Sequence, residues 1–170
     1  MTKKTMIKLG AFGTFLVGGV VALIALFRKR DSDYTSPYFT LSEMFRSTIA
    51  TKNGIDNTTT DENIIANIKA LFKYVLDPAR KQYGAKIQVT SGYRCPKVNT
   101  IAKGANSSQH MKGEAADLTT GTKAGNVVLY NIIRQNGNYD QLINENDYSW
   151  VHVSWKRDGI NRRQELALKA

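Results

Sequence analysis

The sequence predicts an α+β fold, a small antiparallel sheet with flanking helices, preceded by one N-terminal transmembrane helix. Three observations lead there. Residues 9–27 (LGAFGTFLVGGVVALIALF) carry no charge. Apolar residues at 64, 65, 68, 71, 72, 75 and 76 share one face of a helix. Short strand-like stretches occur at 87–90, 115–119, 140–144 and 150–154. Helices, strand, strand, helix and hairpin, in that order, suit an antiparallel sheet with its helices segregated from it.

The elements are justified in chain order. As a helix, residues 9–27 would span ~28 Å, close to the hydrocarbon thickness of a bilayer. Lysines precede the run, and Arg28, Lys29 and Arg30 follow it with no A-x-A-like cleavage site. Residues 1–30 therefore read as an uncleaved anchor rather than a signal peptide. Three Lys/Arg flank each end, so charge does not orient it. Residues 31–37 (DSDYTSP) read as a polar linker, 38–155 as the folded domain and 156–170 as a basic, solvated tail.

Inside the domain, Leu41, Met44, Phe45 and Ile49 fall at helical spacing until NGIDN breaks the pattern. Thr59-x-x-Glu62 reads as a capping box ahead of the long amphipathic helix, and Pro78 marks its end or a kink. SGYRCP (91–96) is a turn, with a short helix after it through Val98 and Ile101. In 115–119, Ala115, Asp117 and Thr119 take one face and Ala116 and Leu118 the other. A second helix runs through Val127 and Ile133 to a stop near Gly137, and ENDYS joins the hairpin strands.

The formal charge of +10 invites a nucleic-acid reading, which its distribution opposes. Six of the 24 Lys/Arg precede Asp31, and the part from Asp31 onward carries only +4. The surplus sits at the two ends, as expected of a membrane flank rather than a reader of bases. The single cysteine, Cys95, excludes an intramolecular disulfide and a CxxC metal site. Nothing in the sequence fixes an oligomeric state.

Chemistry concentrates around the only two histidines. SSQHMKGEAAD (107–117) carries His110 seven residues before Asp117, and WVHVS (150–154) carries His152. Each histidine alone suits a hydrogen-bonded structural role. Together, two imidazoles and a carboxylate suit a zinc site with an open fourth position.

Ser108-x-His110-x-x-Gly113-x-Ala115-x-Asp117, followed by Trp150-Val-His152, resembles the zinc D-Ala-D-Ala carboxypeptidase and L-Ala-D-Glu endopeptidase family of bacterial cell-wall enzymes. The likeness is closer to the subgroup of C-terminal catalytic domains in phage and bacterial wall enzymes. FTLSEMFRS (39–47), GIDN (54–57) and VTSGYRCP (89–96) fit as well, so the resemblance covers roughly 38–155. It implies the Hedgehog/D-Ala-D-Ala peptidase-like zinc fold, one zinc per chain held by His110, Asp117 and His152, and a peptidoglycan stem peptide as substrate. Arg94 would face the reacting carbonyl, and Ser108 would lie beside the metal or the substrate. The family's acid, commonly three residues before the last histidine, is replaced here by Ser149. Glu145, which follows DQLIN, is then the expected general base, with Asp147 as its rival. Glu114 should point away from Asp117's face. A non-catalytic zinc-binding module of the same fold stands as the alternative function. A wall enzyme would need its domain on the outer side of the membrane.

Overall fold

The computed structural model describes residues 31–169, together with Leu23 and Leu26. The expected membrane anchor over 9–27 therefore falls, but for those two leucines, outside the described residues. Among the described residues, no helix is long and apolar enough to cross a membrane.

The chain enters through two short helices, α1 (Leu41–Phe45) and α2 (Thr48–Asn53). The single helix expected from Leu41 to Ile49 is interrupted at Arg46, whose extended backbone (φ −65°, ψ 129°) ends α1. Thr40 and Glu43 form a capping box at its start. Ser47 then caps α2. The long amphipathic helix comprises α3 (Glu62–Leu71), a π-helical turn (Phe72–Leu76) and α4 (Asp77–Tyr83). Its cap is Asp61, which accepts from the amides of Asn63 (2.8 Å) and Ile64 (3.3 Å), and not the expected Thr59–Glu62 box. Pro78 does not stop the run. It stands just after the wide π turn, where the loss of one backbone N–H is absorbed.

β1 (Gln88–Ser91), α5 (Pro96–Ile101), β2 (Ala115–Thr119), α6 (Lys123–Asn136), β3 (Gln141–Glu145) and β4 (Trp150–Ser154) follow close to their expected places. The sheet is mixed rather than purely antiparallel. Its order is β1-β2-β4-β3-β5, and β5 (Gln164–Leu168) runs parallel to β3. The stretch expected to be a solvated tail thus supplies an edge strand. Its alternation is weak, and it pairs with a strand some twenty residues upstream, which local pattern does not reveal.

Strand alternation gives the sheet two different faces. Ala116, Leu118, Leu142, Val151 and Val153 are buried with Ile68, Leu71, Leu129 and Ile133 of the helices in one core. Each of these leucine, isoleucine and valine side chains contributes about 1.5–3 kcal/mol by leaving water. The opposite face presents Asp117, His152, Ile143 and Glu145.

The polar 31–37 stretch is docked on the domain. Asp31 is 4% exposed, and its carboxylate accepts from Lys73 Nζ (2.8 Å) and the Tyr74 hydroxyl (2.9 Å). Asp77 accepts from the hydroxyls of Tyr34 and Ser36, each at 2.6 Å. Its turn-forming composition does not show what the segment packs on.

Candidate metal centre

Register alone brings two of the three expected ligands together. In the β2–β4 ladder Asp117 stands directly opposite His152, and in the β3–β4 ladder Ile143 stands opposite His152 and Glu145 opposite Trp150. His110 arrives from outside the sheet, on a single 3-10 turn (Gln109–Lys112) that ends at Gly113. Gly113 has φ +70°, and a Cβ there would stand 2.7 Å from the carbonyl oxygen of Ile64. Glycine is therefore required both by the left-handed turn and by the close approach to α3. That turn carries the chain from His110 into β2, four residues before Asp117.

His110 Nε2, Asp117 Oδ1 and His152 Nδ1 converge. The separations are 3.2 Å between the two nitrogens, 2.8 Å from His152 to Asp117 and 3.4 Å from His110 to Asp117. Ligands at ~2.0–2.1 Å around a tetrahedral zinc stand ~3.3 Å apart. The donor set and its spacing fit such an ion.

The outer atoms of the same side chains are held by neighbours. His110 Nδ1 lies 2.7 Å from the Gly92 carbonyl oxygen, to which it donates its proton, so the Nε2 lone pair is left for a metal. Arg94 Nη2 donates to Asp117 Oδ2 (2.7 Å), while Arg94 Nε donates to Ser91 Oγ (2.9 Å). Oδ1 is thereby left facing the histidines, and Arg94 Nη1 takes no part in these bonds. Burial pushes the Asp117 carboxyl up, but the contacts with His110 and His152 outweigh it and hold it well below the usual carboxylate range. Burial keeps His110 below the usual imidazole value, against the opposing pull of Asp117, and so favours the neutral ligand form.

These groups line a cavity of about 940 Å³, together with Glu145, Ser108 and Trp150. Burial raises the Glu145 carboxyl above the usual glutamate value; His152 opposes the shift, Asp117 adds to it and Arg94 opposes it. Asp147, the rival for the base, does not line the cavity; it is exposed and paired with Lys123. Glu114 does line it, contrary to expectation. It lies between the Gly113 turn and the first residue of β2, so strand alternation does not govern its side chain.

Two supporting groups escape sequence reasoning. Gly92, within SGYR, supplies the carbonyl oxygen that accepts from His110 Nδ1, and a Cβ there would fall 2.5 Å from the Met44 carbonyl oxygen. Asn57, within GIDN, is buried and donates to the carbonyls of Phe45 (2.9 Å) and Tyr93 (2.8 Å) while accepting from the Cys95 amide (2.8 Å). The placement of both residues inside stretches that share the family likeness was the available signal.

The His–Asp–His cluster, set on an α+β fold, is a candidate metal centre. The sequence pattern described as Peptidase M15 matches residues 37–154, and the chain belongs to that family, whose members are zinc peptidases. No individual curated protein matches the chain.

Proposed function

We propose that the protein is a zinc peptidase that hydrolyses peptidoglycan stem peptides, either at a terminal D-Ala-D-Ala bond or at an internal L-Ala-D-Glu-type bond. The observation that carries this reading is the convergence of His110 Nε2, Asp117 Oδ1 and His152 Nδ1 in one cavity with Glu145 and Arg94. His110, Asp117 and His152 would hold one zinc, which when bound supplies a Lewis acid for the scissile carbonyl and for the attacking water.

The chain's own residues do the rest. Glu145 takes the proton of the attacking water and returns it to the leaving amine, and burial, which raises its carboxyl, makes it a stronger base for that exchange. Arg94 orients Asp117 through Nη2, and its guanidinium, on the cavity wall, would donate to the substrate oxygen as charge develops there. Ser108, on the cavity wall, contacts substrate or supports the ligands. A domain of this activity works on the wall side of the membrane, and the uncharged 9–27 stretch would hold it there as a single-pass anchor.

The test is digestion of purified wall sacculi by the protein, with and without a chelator, followed by mass spectrometry of the soluble products. Chelator-sensitive release of stem-peptide fragments is expected, and the fragment masses name the bond. Zinc bound with no fragment released under any condition would favour the non-catalytic binding module.

A further inference from the structure

Residues beyond Ser154 lie outside the stretch that matches the family, yet Lys156, Arg162 and Leu168 line the same cavity as His110, Asp117 and His152. Parallel pairing of β5 with β3 puts Leu168 in register with Glu145. A single buried carboxylate pins this extension to the sheet. Asp140 is fully buried and accepts from the Arg162 amide (3.0 Å), Nε (3.0 Å) and Nη2 (2.6 Å). Lys156 Nζ lies 3.0 Å away on Oδ1.

One anion thus carries two cations, and both remain open to the cavity. The Arg162 side chain is 49% exposed and that of Lys156 is 30% exposed. Arg162 Nη1 takes no part in the bonds to Asp140. Lys103 and Lys112 line the same cavity, and neither has an ion-pair partner within 4.0 Å among the described residues. Of the acids on this side, Asp158 pairs with Arg157 at 3.5 Å. On this wall Lys103, Lys112, Lys156 and Arg162 stand with Glu114, Glu145 and Asp158, and Asp140 lies buried beneath Arg162 and Lys156. The Arg162 guanidinium, fixed on its Nε–Nη2 edge by Asp140 and half exposed, presents its remaining edge as a planar fork to a second carboxylate.

We propose that the C-terminal extension is the substrate-selecting wall of the cleft, in which Arg162 and Lys156, held in place by Asp140, bind a carboxylate of an acidic peptide. This rests on the peptidase reading of the same site and adds the residues that choose the substrate. The carboxylate can come from the peptide's C-terminus or from one of its side chains.

The test uses three peptides: an acidic stem-peptide analogue, and the same peptide amidated at its C-terminal or at its side-chain carboxylate. Binding to the zinc-loaded full chain is read by calorimetry and cleavage by steady-state kinetics. For the unmodified protein, amidating the recognised carboxylate should weaken binding about 10–100-fold, the usual worth of a charge-assisted contact. The amide that has this effect names the source. In Arg162→Gln that discrimination should shrink to within about threefold, with KM rather than kcat carrying the change. Lys156→Met, which leaves Arg162 on Asp140, should lose part of it. Thermal melts identify any variant that merely fails to fold. Equal affinity of the native protein for all three peptides overturns the proposal, as does an equal loss on all three in both folded variants. Discrimination in binding without cleavage of any peptide keeps the wall and overturns the peptidase reading instead.

Discussion

At the scale of single residues, Glu145 and Asp147 show how environment sorts two neighbouring acids. A base that takes a proton from water works only when deprotonated, and burial raises the Glu145 carboxyl. Cleavage should therefore rise with pH through a limb placed above the usual glutamate range and fall away on its acid side. Glu145→Gln should abolish that limb and lower kcat at least about 100-fold while one zinc per chain is retained. A variant that loses its zinc would put Glu145 among the ligands instead, and full activity would require another base. Asp147 is exposed, with its carboxyl lowered by the hydrogen bond and charge of Lys123, so Asp147→Asn should change the rate less than about twofold. The His–Asp–His cluster was legible because the chain has only two histidines and one of them shares a short motif with an aspartate. The groups that aim the ligands were not legible, since Gly92 acts through a backbone carbonyl and Asn57 through contacts far apart in sequence.

Among the elements, the β3–β4 turn holds Glu145 in place at some cost in backbone energy. Asn146, Asp147 and Tyr148 all adopt left-handed conformations, with φ of 47°, 56° and 62°. Each costs roughly 1 kcal/mol for a residue with a side chain. The turn is fixed by Asn126 of α6, which is 1% exposed and donates from Nδ2 to the carbonyls of Tyr148 and Ser149, both at 3.0 Å. Its Oδ1 accepts from the Thr120 amide at 2.8 Å, so one side chain ties the end of β2 to the hairpin. Asn126→Ala should destabilise the fold by about 2–3 kcal/mol, the cost of removing a buried amide that ties two carbonyls of the hairpin to the Thr120 amide, measured as a lower midpoint in denaturant. Hairpin position was readable from alternation to within a residue, because one face is apolar and the other carries the site. The three consecutive left-handed residues were not readable, for ENDYS contains no glycine to signal positive φ. Of the two readings of Pro78, an end or a kink, the end is excluded for a related reason: a π turn, which no local pattern announces, lets the helix continue past it.

For the molecule as a whole, the two ends of the domain are the parts that composition misplaces. The first was read as a polar linker and the second as a basic, solvated tail, and both are fastened by buried carboxylates, Asp31 and Asp77 at the N-terminal stretch and Asp140 at the C-terminal extension. A chain that leaves a membrane through 31–37 would therefore meet the domain as a docked strap, with its orientation restricted, and not as a free tether. Removing the two hydroxyls that serve Asp77, in Tyr34→Phe combined with Ser36→Ala, leaves that carboxylate buried with neither donor. The expected cost near neutral pH is about 2–4 kcal/mol, or on the order of 5–10 °C in Tm for a domain of this size. Burial already raises the folded Asp77 carboxyl above its ordinary value, against the pull of Ser36 and Tyr34. Loss of those donors raises it further, so the folded variant binds its proton at a higher pH than the unfolded chain does. Stability linked to a raised carboxyl increases as pH falls through that value. The gap in Tm between the native protein and the double variant should accordingly narrow as pH drops from about 6 toward 4. Thermal melts across that range measure it, and a gap absent at every pH would mean that residues 31–37 are a loose linker after all.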